Sequence, residues 1–166
     1  LGFTRFGDPD EFTRQIALPV LDLLAHLSPQ QETIAEVGPG SGGAGLTLAA
    51  LRPDLHIHLI DRRSRVCSFL SVAAARFELD NIRVDARDVA DLADTQAHFD
   101  VLMARAVAPP AEILMTFMAC VREGGLVALF HSGDTIAGAQ NLASMEDIPT
   151  SVQNLNLFIF RKDETD

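Results

Sequence analysis

The stretch Ile34-Ala35-Glu36-Val37-Gly38-Pro39-Gly40-Ser41-Gly42-Gly43-Ala44-Gly45 decides how the rest of the chain is read. Ile34, Ala35 and Val37 form a short apolar run of the kind that makes a buried strand, with Glu36 near its carboxyl end. Gly38, Gly40 and Gly42 let the backbone turn sharply and come close to a ligand. Ala44 to Leu51 is apolar and helix-competent until Pro53 stops it, so the turn feeds a helix whose amino end presents free N–H groups. Strand, Gly-rich turn and helix in that order predict the opening unit of a nucleotide-binding α/β domain.

The glycines admit two spacings. Gly38, Gly40 and Gly43 spell G-x-G-x-x-G, the dinucleotide fingerprint; Glu36, Gly38, Gly40 and Gly42 spell E-x-G-x-G-x-G. The second resembles the cofactor loop of class I S-adenosylmethionine-dependent methyltransferases. That resemblance implies that Glu36 helps hold the methionine ammonium of the cofactor, while the glycines admit its amino-acid end. No G-K-[ST] follows, which argues against a P-loop NTPase.

Downstream, the chain alternates with the period of a parallel sheet. Leu55 to Ile60 is a second strand ending on Asp61, a position from which an acid accepts hydrogen bonds from a ribose. A helix follows with Val66, Phe69, Leu70, Ala73 and Phe77 on one face. Asn81 to Val84 is a third strand, and Arg87-Asp88-Val89 lies just past it. The methyltransferase resemblance places Asp88 at the adenine amino group and the Val89 N–H at the ring; Asp88 also suits an N-cap for the turn that follows. Phe99 to Ala104 is a fourth strand with Arg105 at its tip, the first candidate for contact with substrate or cofactor, or else a salt-bridged strand-end arginine. Glu112 to Val121 reads as a helix with Glu123-Gly124-Gly125 as its C-cap, and Leu126 to Phe130 as a fifth strand ending at His131. Ser132 to Thr150 is Gly-rich and polar, with a weak hint of a helix or strand around Ala139 to Met145. Leu155 to Phe160 is a closing strand, added antiparallel at the sheet edge because no convincing crossover helix precedes it.

Upstream, Asp8, Pro9 and Glu11 supply an N-cap, a first-turn proline and a capping-box acid. Phe12, Ile16, Val20, Leu23, Leu24 and Leu27 form the apolar stripe of a helix that Pro19 kinks or divides. One domain over residues 1–166 is expected: a helical lead-in at 1–32, a cofactor-binding core at 33–131, and a loop with an edge strand at 132–166.

The composition narrows the function classes. Thirteen Lys and Arg against 23 Asp and Glu give a formal net charge of −10, which weighs against gripping a nucleic-acid backbone with the general surface but leaves room for a local basic patch. Arg62, Arg63 and Arg65 form such a patch, a basic rim or a solvated first helical turn. Trp and Tyr are absent, so only Phe, His and Arg remain to stack on a base. Cys67 and Cys120 lie in apolar helical patterns with no zinc spacing and read as buried reduced thiols; no metal is expected. No signal peptide or membrane-length apolar run is read, and a cytoplasmic location is expected.

With these elements in hand, the chain resembles the glucose-inhibited division protein B family, bacterial methyltransferases that modify guanine N7 in small-subunit ribosomal RNA. The resemblance rests on E-V-G-P-G-S-G-G-A-G-L at Glu36 to Leu46, L-I-D-R-R-S-R-V-C-S-F-L at Leu59 to Leu70, and F-D-V-L-M-A-R-A-V-A-P at Phe99 to Pro109. E-G-G at Glu123 to Gly125 and L-F-I-F-R-K at Leu157 to Lys162 add to it. It implies a Rossmann-like class I methyltransferase fold, mostly parallel with an antiparallel C-terminal strand and helices on both faces. It implies S-adenosylmethionine as cofactor, bound by Glu36, Gly38, Gly40, Gly42, Asp61, Arg62, Asp88, Val89 and Arg105, and small-subunit ribosomal RNA as partner. Arg105 is the expected catalytic residue, orienting the guanine or a phosphate. Guanine N7 is a ring lone pair without a proton, so its methylation calls for in-line positioning in a dry site more than for a general base.

The chain departs from the family where RNA would be met. The usual Arg-His and Asp-Ser pairs of the amino-terminal helix stand as Arg14-Gln15 and Leu18-Pro19, and the lysine after the fifth strand is replaced near Phe130-His131. The family's helical extension ahead of the cofactor domain is expected to be missing, which would make the sequence a truncated or minimal relative. Three alternatives stay open: a methyltransferase for a small molecule or protein, a non-catalytic cofactor-binding relative, and an NAD-dependent oxidoreductase, which would need a second nucleotide-binding half.

Overall fold

Val101, Leu102, Met103 and Ala104 are all buried, yet they belong to two different cores: Val101 and Met103 face one, Leu102 and Ala104 the other. Successive side chains of a strand point to opposite faces, so a strand covered on both sides reads as an unbroken apolar run. Leu126 to Leu129 and Leu157 to Phe160 divide in the same way. This is why the inner strands were legible as runs rather than as alternation.

The computed structural model describes residues 8–93, 99–105, 110–133, 136 and 144–163. Its strands are β1 (Thr33–Val37), β2 (His56–Ile60), β3 (Ile82–Asp85), β4 (Phe99–Arg105), β5 (Val121–His131), β6 (Ser144–Pro149) and β7 (Asn156–Arg161). They form one sheet in the order β3-β2-β1-β4-β5-β7-β6. β1 to β5 pair in parallel, and β7 runs antiparallel to both of its neighbours. The helices are α1 (Pro9–Phe12), α2 (Leu18–Leu24), α3 (Gly43–Leu51), α4 (Ser64–Arg76), α5 (Ala90–Ala93) and α6 (Pro110–Cys120). Val20 and Leu23 of α2, Leu48 of α3 and Val66 and Leu70 of α4 pack on one face of the sheet. Leu92 of α5 and Leu114, Phe117 and Cys120 of α6 pack on the other. The expected mostly parallel α/β fold with helices on both faces is present.

Four local readings are corrected. The amino-terminal helix is divided not by a kink at Pro19 but by a π-helical turn over Thr13–Ala17, in which the Leu18 N–H reaches back five residues to the Thr13 carbonyl; Pro19 then falls in the first turn of α2. Phe77 does not continue the buried stripe of α4: it is 63% exposed, because the helix ends at Arg76 and Glu78, at φ 54°, turns the chain away. Glu123-Gly124-Gly125 is no helix cap. α6 stops at Cys120, Val121 already pairs with Phe99, and the glycines form an irregularity before Leu126 resumes the ladder opposite Val101. The closing strand β7 lies inside the sheet, with β6 as the edge, because a hairpin through Thr150 to Leu155 folds β6 back along it. Only the last two residues of Ala139 to Met145 lie in β6, and those before them are outside the described residues, as are Leu1 to Gly7 and the A-V-A-P that follows Arg105.

At the amino ends of the strands the chain is tied by Asp100. Its Oδ2 accepts from the Glu32 N–H at 2.7 Å, the Thr33 N–H at 2.8 Å and Thr33 Oγ1 at 2.9 Å, and its Oδ1 pairs with Arg122. The amino-terminal helix is fastened across the fold by Asp22, whose Oδ2 accepts from Ser151 N at 2.9 Å and Ser151 Oγ at 2.8 Å. The Asp100 clasp sits at the amino ends of the parallel strands, opposite the end at which a cleft forms.

Candidate active site

Val37 of β1 is level with Ile60 of β2 and Ala104 of β4, and Ile60 is level with Asp85 of β3. The residues that follow each strand therefore arrive at one edge, the place where open α/β sheets bind ligands. There they line a cleft of about 500 Å³, within the range of small-molecule sites. Val37 and Gly38 come from the end of β1, Ile60 to Arg63 from the end of β2, Arg87 to Val89 from beyond β3, Arg105 from β4 and Ile113 from α6. Of the residues expected at the site, Gly38, Asp61, Arg62, Asp88, Val89 and Arg105 meet here. Glu36, Gly40 and Gly42 do not line the cleft; they build the turn beneath it.

That turn is held by its glycines. Gly38, Gly40 and Gly42 have φ of 67°, 57° and 74°. Gly42 precedes the first turn of α3 in the left-handed region, and a Cβ there would lie 2.3 Å from Leu70 Cδ2. Phe12 and Ile16 of the amino-terminal helix pack so closely over Gly43 that a Cβ on it would lie 2.7 Å from Ile16 Cγ2.

Glu36 is buried, and its Oε2 accepts the Gly45 N–H at 2.8 Å in the first turn of α3. Burial pushes its pKa up to about 8, against the opposing pull of that N–H and of the Arg105 charge. Glu36 is thus a proton-bearing acid poised near neutrality, with the Arg105 cation above it. Arg105, half-buried, donates from Nη1 to the main-chain carbonyl of Gln15 in the π-helical turn.

Asp61 is buried at the end of β2. Its Oδ1 accepts from the Arg63 N–H and from Arg63 Nε, both at 2.9 Å, and its Oδ2 from Arg63 Nη2 at 2.7 Å. Burial pushes its pKa upward, but the bonds and charge of Arg63 outweigh it and hold the carboxyl below its ordinary value. Asp88 is exposed and caps α5 by accepting the Ala90 N–H at 3.1 Å, so its helix-capping role is realised at the cleft wall.

The other chemistry-bearing residues serve the scaffold. Cys67 Sγ donates to the Asp61 carbonyl at 3.2 Å, and burial pushes both its pKa and that of Cys120 up, so both stay thiols. His58 meets Phe99 edge-on with ring centroids 5.2 Å apart, and burial lowers its pKa. His131 pairs in register with Asn156 and is not on the cleft lining. Among the described residues no cluster of His, Cys, Asp or Glu is arranged to hold a metal, and no helix is long and apolar enough to cross a membrane.

Val37, Ile60, Arg87 and Ile113 line the cleft without having been among the residues expected there. The first two are the last residues of their strands and Arg87 adjoins Asp88, so strand ends were the available signal; Ile113 arrives from a distant helix and had none. Arg63, read only as part of a basic rim, turned out to be the partner of Asp61.

The family model of rRNA small subunit methyltransferase G, GidB, matches residues 1–158. Ribosomal RNA small subunit methyltransferase G of Neisseria meningitidis serogroup B is 33% identical over 122 residues, covering 74% of this chain and 58% of that protein. The protein of the same name from Sorangium cellulosum is 34% identical over 133 residues, 78% of this chain and 56% of that one. The chain thus spans less than two thirds of the length of these curated relatives. Among solved structures, an O-methyltransferase family protein from Burkholderia thailandensis superposes with a TM-score of 0.71 at 10% identity, over 93% of this chain and 58% of that one, which shows a shared fold. Strand order, glycine turn and family model agree: this chain belongs to the GidB family, rRNA small subunit methyltransferase G.

Proposed function

We propose that the chain is a cytoplasmic S-adenosylmethionine-dependent methyltransferase of a single domain, acting on guanine N7 of small-subunit ribosomal RNA. The observation that carries this reading is the set of acceptors at one sheet edge: Glu36 beneath the glycine turn, Asp61 after β2 and Asp88 after β3. The donors of S-adenosylmethionine are an ammonium, a ribose diol and an adenine amino group, and the three carboxyl groups match them in kind, one near the carboxyl end of each of β1, β2 and β3. The left-handed glycine turn, which a Cβ at Gly42 would obstruct, fits the close approach of a ligand's amino-acid end. When bound, the cofactor supplies an electrophilic methyl group.

In this reading Gly38, Gly40 and Gly42 shape the floor under the amino-acid end, Asp61 accepts the ribose, and Asp88 and the Val89 N–H read the adenine edge. Arg62 flanks the ribose. Val37, Ile60, Val89 and Ile113 exclude water around the base. Arg105 orients the acceptor purine or its phosphate at the mouth. The target nitrogen carries no proton, so no side chain has to remove one before transfer.

The charge of the cleft supports a nucleic-acid acceptor. The chain carries −10 overall, yet four arginines, Arg62, Arg63, Arg87 and Arg105, line the cleft against two aspartates. A local excess of positive charge in a concave wall draws phosphate toward it even on an acidic protein.

Calorimetric titration with S-adenosylmethionine, S-adenosylhomocysteine and NAD is the first test, followed by methyl transfer to undermethylated small-subunit RNA or particles. The proposal expects the first two ligands to bind and NAD not to, and label to appear at guanine N7. Binding of NAD instead, or turnover only on a small molecule or protein, would replace it.

A further inference from the structure

Asp61 is the acceptor assigned to the ribose, and it is already engaged. The Arg63 main-chain N–H and Nε both donate to Oδ1, and Nη2 donates to Oδ2. A carboxylate offers about four lone-pair sites, so about one remains, on Oδ2. The side chain of Asp61 is 3% exposed beneath an Arg63 side chain that is itself 60% exposed. A ribose diol, which donates two hydroxyls, finds neither two acceptor sites nor an open face there.

We infer that the Arg63 guanidinium competes with the cofactor's ribose for Asp61, and that it swings off the carboxylate when the cofactor binds. The motion is inexpensive because the guanidinium is mostly in solvent and its stem lies at the cleft rim. The main-chain N–H of Arg63 stays on Oδ1 after the side chain leaves, so Asp61 keeps its orientation and gains the sites the diol requires. Arg63 thereby sets cofactor affinity. This inference rests on the cofactor reading above.

The test compares the wild-type chain with Arg63→Gln, which keeps much of the stem and removes the charged fork, and with Arg63→Lys, which keeps the charge and removes the fork. Each is titrated calorimetrically with S-adenosylhomocysteine, adenosine and 2′,3′-dideoxyadenosine, with thermal unfolding as a check of the fold. Arg63→Gln is expected to bind S-adenosylhomocysteine and adenosine about two- to fivefold tighter, the range of a partly exposed ion pair. Arg63→Lys is expected to fall between it and wild type, and dideoxyadenosine, which has no diol to compete, to bind all three alike. If Arg63→Gln binds S-adenosylhomocysteine as wild type does or more weakly, or gains as much on dideoxyadenosine, the competition is refuted. A wild-type chain that binds no S-adenosylhomocysteine refutes the cofactor reading itself, which separates the two failures.

Discussion

Arg105, at the tip of the fourth strand, donates a hydrogen bond to the main-chain carbonyl of Gln15 in the amino-terminal helix. In a regular helix that carbonyl would accept from the residue four positions on, which is Pro19 and has no N–H to give. The proline thus leaves an acceptor that the arginine takes, and the π-helical turn between Thr13 and Ala17 lies at the point of contact. Arg105→Ala is expected to lower kcat/KM for methyl transfer by about 100-fold through lost orientation of the acceptor. Pro19→Ala, which supplies an N–H to compete for the carbonyl, is expected to lower it by roughly three- to tenfold, mostly in KM for the acceptor. Steady-state kinetics beside thermal unfolding decide this: Pro19→Ala kinetics equal to wild type would break the link between the two residues.

Glu36 is expected to make stability and cofactor binding depend on pH in opposite senses. Its folded pKa of about 8 lies above the ordinary 4.5, so between those values the folded chain holds a proton that the unfolded chain has lost. Its contribution to stability is therefore greatest below pH 4.5 and declines as pH rises toward 8. Glu36→Gln is expected to remove that decline, which urea unfolding at a series of pH values would show. A cofactor ammonium needs the ionised form, so cofactor affinity of the wild type should rise by up to about tenfold per pH unit on the approach to 8, with proton release on binding. Calorimetry in buffers of different ionisation enthalpy reads the released proton directly.

Gly45 is the donor on which Glu36 rests, and it has no room for a side chain. A Cβ would lie 2.4 Å from Leu59 Cδ2 and 2.5 Å from Glu36 Oε2, and Leu59 is fully buried. Gly45→Ala is expected to lose about 1–3 kcal/mol of stability by overpacking and to weaken cofactor binding through the displaced carboxyl. Urea denaturation and titration together check both halves.

Asp100 tests the scaffold apart from the site. Asp100→Ala leaves the Glu32 and Thr33 N–H groups and the Thr33 hydroxyl without their acceptor, and Arg122 without its carboxylate. A loss on the order of 2–4 kcal/mol is expected, with cofactor affinity of the remaining folded protein unchanged because the clasp lies at the far end of the strands. Chemical unfolding and a binding titration on the same sample would show it.

Most of the sheet was legible because its strands are covered on both faces. Ile34 to Val37, Phe99 to Ala104 and Leu157 to Phe160 read as largely apolar runs, and the positions at or just past the carboxyl ends of β1, β2, β3 and β4 could be read as ligand positions from topology alone. The edge strand Ser144–Pro149 was not legible: it carries Glu146 and Asp147, both exposed, and its place depends on pairing with β7 rather than on burial. The glycines of Glu123-Gly124-Gly125 were read as a cap because a cap and a strand irregularity need the same left-handed residue, and Gly124, at φ 72°, serves the second. Phe77 was misassigned because a helical stripe predicts a face only while the helix lasts.

The sequence by itself determined the fold class, the glycine turn and the acids at the strand ends, because these follow from chain-local constraints: apolar period, positive φ and the level ends of parallel strands. Only the tertiary structure decided what those acids face. Glu36 became a raised acid because burial removed its water, Asp61 became the partner of Arg63 because a helix start brought the guanidinium back over it, and Arg105 met Gln15 across ninety residues of chain. Solvent exposure and contacts between distant segments are properties of the packed chain, and no spacing in the sequence encodes them directly.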